Sequence, residues 1–234
     1  MKFALAAAFL TFNLAAIPAT AATFLVELQG DVYYNNGDVA DNFPVGTKAS
    51  AWFKYNSESA GQSFSPGGVL DPSIYFYPDA VIEGGMNIGD YSITFSDAAR
   101  MFVTNQERVS DGRVIDRILF DDFNPVGGAI DGREIDVVSI SWQDDSANAL
   151  SDLSLPTSGA TFDRFPAALG SVDWTPYIGA EHRVSFRATQ QRITEINGAV
   201  PEPSTWLMML IGFGLVGGAA RASNRQRKVI ASLS

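Results

Sequence analysis

The sequence predicts an all-β protein: an antiparallel β-sandwich, jelly-roll-like or immunoglobulin-like with a barrel as its rival, flanked by an N-terminal signal peptide and a short C-terminal transmembrane helix. Three observations point there. Short β-branched and aromatic runs recur along the middle of the chain, clusters of turn-forming residues separate them, and no long stretch carries helical periodicity.

The first element is a leader. Lys2 precedes an apolar stretch over residues 3–17, Pro18 ends it, and Ala19, Ala21 and Ala22 supply the small side chains that a signal peptidase accepts. Residues 1–22 are therefore expected to be removed after Ala21 or Ala22. Residues 23–199 form the exported domain, residues 200–228 a separate C-terminal segment with a helix over 206–220, and residues 229–234 a tail.

Within the domain, strands are expected at 23–29, 48–55, 74–77, 91–95, 101–104, 114–120, 135–142 and 183–196. Turns are expected at Asn36-Gly37, Asp71-Pro72, Gly84-Gly85, Asp111-Gly112, Gly127-Gly128 and Asp131-Gly132, where residues tolerate positive φ or fix φ for a reversal. Alternation in 48–55 sets Ala49, Ala51, Phe53 and Tyr55 on one face and Ser50, Trp52 and Lys54 on the other. The inward face of 114–120 stays ambiguous, because apolar residues occupy both sides. Residues 150–176 read as loop with one helical turn, broken by Pro156, Gly159, Pro166 and Gly170. The hexapeptides starting at Asp111 and Asp131 resemble each other, as two Asp-Gly turns feeding strands would without any duplication.

Charge narrows the partners. The whole chain has 16 Lys and Arg against 26 Asp and Glu, a net charge of -10. Outside residues 23–199 lie Lys2, Arg221, Arg225, Arg227 and Lys228 against Glu202 alone, so the exported domain carries -14. Such a field repels nucleic acid and anionic lipid. With no cysteine, the domain holds no disulfide and rests on its own core, for which its length suffices.

Catalytic constellations are not legible. The single histidine, His182, has no Gly-x-Ser-x-Gly elbow to serve and reads as a surface or strand-start residue. The chain is therefore expected to be non-enzymatic. For cofactors the expectation is none, with calcium as the physical possibility: Asp121, Asp122 and Asn124 follow one strand, and Asp144, Asp145 and Asn148 follow another, supplying the oxygen ligands a hard cation takes. Most aromatics are expected in the core. The alternative function, a glycan-binding or glycan-active module, would use Trp142, Trp174 or Tyr177 exposed for stacking on sugar rings.

The C-terminal segment is the most informative. Pro201-Glu202-Pro203 stiffens the backbone, Trp206 prefers a water-lipid boundary, residues 207–220 carry no charge, and Arg221, Arg225, Arg227 and Lys228 resist translocation. As a helix, the fifteen residues 206–220 rise about 22 Å against a hydrocarbon core of about 30 Å, so the span is marginal and suits temporary retention. Gly214 and Gly218 add a small-xxx-small spacing for close helix contact.

Pro201, Glu202, Pro203 and Trp206, the glycine-rich apolar run and the basic end together resemble the PEP-CTERM sorting signal of Gram-negative bacteria. Leu207 and the trailing residues 229–234 depart from its usual form. The resemblance implies recognition by the membrane protease-transpeptidase exosortase, transient anchoring in the inner membrane, and release to the envelope or extracellular matrix, in a system associated with exopolysaccharide and biofilm production. The module is also labelled an ice-binding protein C-terminal domain. An ice-binding face needs regularly spaced threonines, and this chain has no such array.

Overall fold

A computed structural model describes residues 22–64, 71–174 and 182–196. All of these belong to one compact unit, Ala21–Val200. The leader, the sorting segment with the helix expected over 206–220, and Tyr177 lie outside the described residues.

The described chain is all-β, as expected, and its strands pair antiparallel throughout. The strands are β1 (Thr23–Asn35), β2 (Lys48–Asn56), β3 (Gln62–Ser63), β4 (Ile74–Tyr77), β5 (Val81–Ile88) and β6 (Tyr91–Thr94). They continue as β7 (Arg100–Arg108), β8 (Val114–Asp122), β9 (Val126–Gly127), β10 (Ile135–Asp144), β11 (Ala168–Trp174) and β12 (Arg183–Glu195), with one helical turn, α1 (Gly159–Phe162), before β11. They form one sheet in the order β3-β4-β7-β8-β10-β11-β12-β1-β2-β5-β6-β9.

The sheet curls over on itself. β2 and β8 are separated in that order by β10, β11, β12 and β1, yet Phe53 of β2 stacks on Phe120 of β8 at 4.9 Å between ring centroids. Phe95 reaches Phe120 at 4.6 Å, and Phe43 stacks on Trp174 at 5.6 Å. Ala49, Ala51, Phe53 and Tyr55 are all buried, which confirms the alternation read in β2. In β8 the ambiguity resolves toward Asp116, Ile118 and Phe120 as the core-facing set, and Ile115 is buried on the opposite side. Each large apolar side chain so enclosed contributes about 1.5–3 kcal/mol.

Residues 150–165 close one end of this core. Tyr55 donates its hydroxyl to the Pro156 carbonyl at 2.8 Å, and Phe162 of α1 meets the Trp142 ring edge-on at 4.9 Å. Burial pushes the Tyr55 phenol far above its ordinary pKa, so it remains a donor. The helical turn read in the segment 150–176 is present, but that segment also contains strand β11.

Two glycine positions explain why strands were hidden there and at β5. A Cβ at Gly170 would stand 2.0 Å from Cε1 of Phe186, and one at Gly84 would stand 2.5 Å from Phe95 and 2.7 Å from Phe53. These glycines mark close approach inside strands rather than turns. The two Asp-Gly sites do turn: Gly112 and Gly132 have φ of 86° and 76°, and the strands that follow them, β8 and β10, are neighbours.

Candidate functional site

The outer face of β12, β1, β2, β5 and β6 carries the most organised polar surface among the described residues. Strand alternation puts Phe24, Val26 and Leu28 of β1 into the core and leaves Glu27, Gln29 and Tyr33 outside. Register then builds rows across the sheet. Gln190, Gln29, Ser50 and Asn87 stand in successive strands, and Asn87 pairs with Ser92 of β6. Ser92 Oγ donates to Asn87 Oδ1 at 2.7 Å, which orients the amide. One row over, Arg192, Glu27, Trp52, Gly85 and Thr94 stand in the same five strands.

Trp52 is 38% exposed and flanks a glycine floor, since a Cβ at Gly85 would lie 3.6 Å from Trp52 Nε1. Two open grooves run over this face. One, of about 420 Å³, lies over Gln29, Ser50, Asn87 and Gln190; the other, of about 430 Å³, lies beside Trp52 over Gly85 and Ser92, and both include Asn87. Charges pair off locally: Lys48 with Asp31, Lys54 with Glu83, and the Arg187 guanidinium over the Tyr33 ring at 5.1 Å. With Glu27 and Arg192, and with Asp97 in the lining of the second groove, the charges about the grooves come to four basic and four acidic side chains, a balance of zero in a domain of -14.

The acidic clusters face a different task. Asp121 is joined to Arg100 Nε at 2.7 Å. Asp122 is fully buried and accepts from the Ser96 amide at 2.6 Å, the Ser96 hydroxyl at 2.7 Å and the Asn124 amide at 3.0 Å. Asp144 takes the amides of Ser146 and Asn148 at 3.0 and 2.9 Å, while Asp145 pairs with Arg113 at 3.0 Å and accepts from Gln143 at 2.7 Å. Each carboxylate thus anchors a turn or a cation of the protein itself. Among the described residues, no group of three or more His, Cys, Asp and Glu gathers in a way that could hold a metal ion.

Titration follows these surroundings. Burial raises the Asp121 pKa, against the pull of Arg100, and raises Asp173 against the pull of Arg183, whose Nε donates to it at 2.6 Å. The Asp144 carboxyl sits low: desolvation is its largest influence and works upward, but the hydrogen bonds from Asn148 and Ser146 outweigh it.

Two of the three aromatics read as sugar platforms are core residues. Trp142 is 0% and Trp174 1% exposed, and Trp142 Nε1 donates to Gln191 Oε1 at 3.1 Å. Neither can stack on a glycan, because the inward face of each strand claimed the larger ring for packing between the curled halves. His182 is likewise buried rather than superficial, at the start of β12, where its carbonyl accepts the Trp174 amide at 3.0 Å. Among the described residues the exposed tryptophan is Trp52, which alternation sets opposite the core face of β2.

Comparison with known families supplies the decisive functional feature. Residues 199–226 match the PEP-CTERM protein-sorting motif. The chain carries an exosortase sorting signal. The match covers Pro201, Glu202, Pro203 and Trp206 together with Arg221 and Arg225, and leaves Arg227 and Lys228 just beyond it. The signal marks an exosortase-sorted extracellular protein, held transiently at the membrane on its way to the envelope or the exterior. No curated protein and no solved structure matches this chain. Among the described residues no helix is long and apolar enough to cross a membrane; residues 206–220 are not among them.

Proposed function

We propose that the protein is a non-enzymatic component of the cell envelope or extracellular matrix, linked to exopolysaccharide or biofilm and delivered by exosortase. Signal peptidase removes residues 1–22, the helix over 206–220 halts in the inner membrane with Arg221, Arg225, Arg227 and Lys228 on the cytoplasmic side, and exosortase cuts near Pro201-Glu202-Pro203. The observation that carries this reading is the sorting motif at residues 199–226, placed directly behind a domain that ends by Val200.

In the finer reading of the fold, the two halves of the curled sheet act as the two layers of a sandwich, supported by the Phe53–Phe120 and Phe43–Trp174 stacks between them. Support for a non-enzymatic role comes from the use of Asp121, Asp122, Asp144 and Asp145 as turn anchors and ion-pair partners.

The test is expression with and without the exosortase of the host, followed by mass measurement of the C-terminus. Loss of the segment containing Trp206 only when exosortase is present is the expected result. An exported product retaining that segment under both conditions overturns the proposal.

A further inference from the structure

The outer face of β12-β1-β2-β5-β6 has the makings of a binding surface that the sorting signal does not account for. It is open rather than enclosed, its charges are paired or balanced among polar amides and hydroxyls, and it presents the Trp52 ring beside a glycine floor. We infer that this face binds an uncharged polysaccharide, with Trp52 stacking on a sugar ring and Gln29, Asn87 and Gln190 hydrogen-bonding to hydroxyls in the grooves beside it. The inference deepens the matrix role proposed above and rests on it for biological context, though not for its test.

Four observations converge. First, amide and hydroxyl side chains repeat from strand to strand about 4.8 Å apart, each able both to donate and to accept, as vicinal sugar hydroxyls require. Second, Trp52 offers an apolar ring face at 38% exposure, and the absence of a side chain at Gly85 leaves the floor beside it clear. Third, the grooves share Asn87 and continue one another, and Tyr33 lies six residues along β1 from Glu27, the residue opposite Trp52. That is about 20 Å at the rise of a strand, a length suited to a polymer segment rather than a small molecule.

The fourth observation is charge. A balance of zero about the grooves, against -14 for the domain, removes local repulsion without creating an anion site. An acidic polymer or nucleic acid would still approach against the field of the whole domain. A protein partner fits less well, since one ring among amides and paired charges lacks the apolar centre that interfaces are built around.

The experiment is native affinity electrophoresis of the full-length chain, kept in a zwitterionic detergent without sugar groups, through gels containing hydroxyethyl cellulose, galactomannan, dextran or alginate. Retardation by at least one of the three neutral polymers is expected. Trp52→Ala should weaken it at least tenfold, Trp52→Phe should keep most of it, and Asn87→Ala should weaken it several-fold. Phe123→Ala, which removes an exposed ring from a residue following β8 outside this face, should leave it unchanged. Near-UV circular dichroism checks that each variant is folded, and Asn87→Ala keeps the test decisive if Trp52→Ala is not. Normal mobility in all three neutral gels, retardation by alginate alone, or undiminished retardation of folded Trp52 and Asn87 variants overturns the inference. Failure of the sorting reading is seen separately, in the mass of the C-terminus, and leaves this outcome untouched.

Discussion

Asp116 offers a quantitative test of how the fold is held at its least regular point. The residue is completely buried in β8. Its Oδ1 accepts the Gln106 amide at 2.9 Å and its Oδ2 the Leu150 amide at 2.8 Å. Gln106 sits in the bulge of β7, between the paired residues Thr104 and Glu107, with φ of 57°, a left-handed value that a non-glycine residue adopts only when its surroundings impose it. Leu150 opens the segment that closes the end of the core. One carboxylate therefore ties a strand irregularity to the closing loop.

Asp116→Ala orphans both amides, at about 1–3 kcal/mol each. Relief from burying a charge offsets part of that, leaving an expected loss of about 3 kcal/mol. For a domain of this size the melting temperature moves about 2–4 °C per kcal/mol, so the predicted drop is about 6–12 °C. Asp116→Asn keeps the volume and one acceptor and should fall between. Thermal unfolding followed by circular dichroism measures the shift, and amide hydrogen exchange should show Gln106 and Leu150 losing protection ahead of their neighbours. A drop under about 2 °C for Asp116→Ala, with both amides still protected, would refute the reasoning.

Gly170→Ala should cost about 1–3 kcal/mol by forcing a methyl into the Phe186 ring, and Phe186→Leu in the same chain should recover part of the loss; an unchanged melting temperature for the single variant would count against the close approach. The Asp173 carboxyl should titrate above 3.8 by carbon NMR, because burial raises it more than Arg183 lowers it. A raised folded pKa means that the stability this group contributes is full below 3.8 and is lost as pH rises through the folded value; a midpoint at or below 3.8 contradicts this. Calcium titration should give neither heat nor a change in melting temperature, since the acidic turns are already satisfied by Arg100, Ser96, Ser146, Asn148 and Arg113; saturable binding would show that the ion displaces them.

Legibility in the sequence followed the range of the interaction concerned. The strands at 48–55, 74–77 and 135–142 were readable because side-chain alternation and β-branched or aromatic content are local properties. β5 and β11 escaped because Gly84, Gly85 and Gly170 imitate turn chemistry while serving close packing, and β9 because Gly127 stands between Pro125 and Gly128. The single curled sheet was not readable, since it depends on pairings such as β1 with β12 and on the meeting of Phe53 with Phe120. For the site, the sorting motif is linear and so could be read directly. Trp142 and Trp174 were wrong candidates for an exposed role because identity as tryptophan says nothing about which sheet face a residue takes. Trp52 had its side correctly assigned by alternation, but its amide neighbours come from three other strands and only pairing assembles them.

The sheet finishes at β3 and β9, strands of only two residues each. An incoming chain seeking to extend the ladder finds there almost no backbone to copy. Outside the cell no ATP-driven chaperone disentangles proteins that have zipped together, and a domain without cysteine has no covalent clasp to fall back on. Blunt margins let many copies crowd at one surface while each keeps its strands to itself.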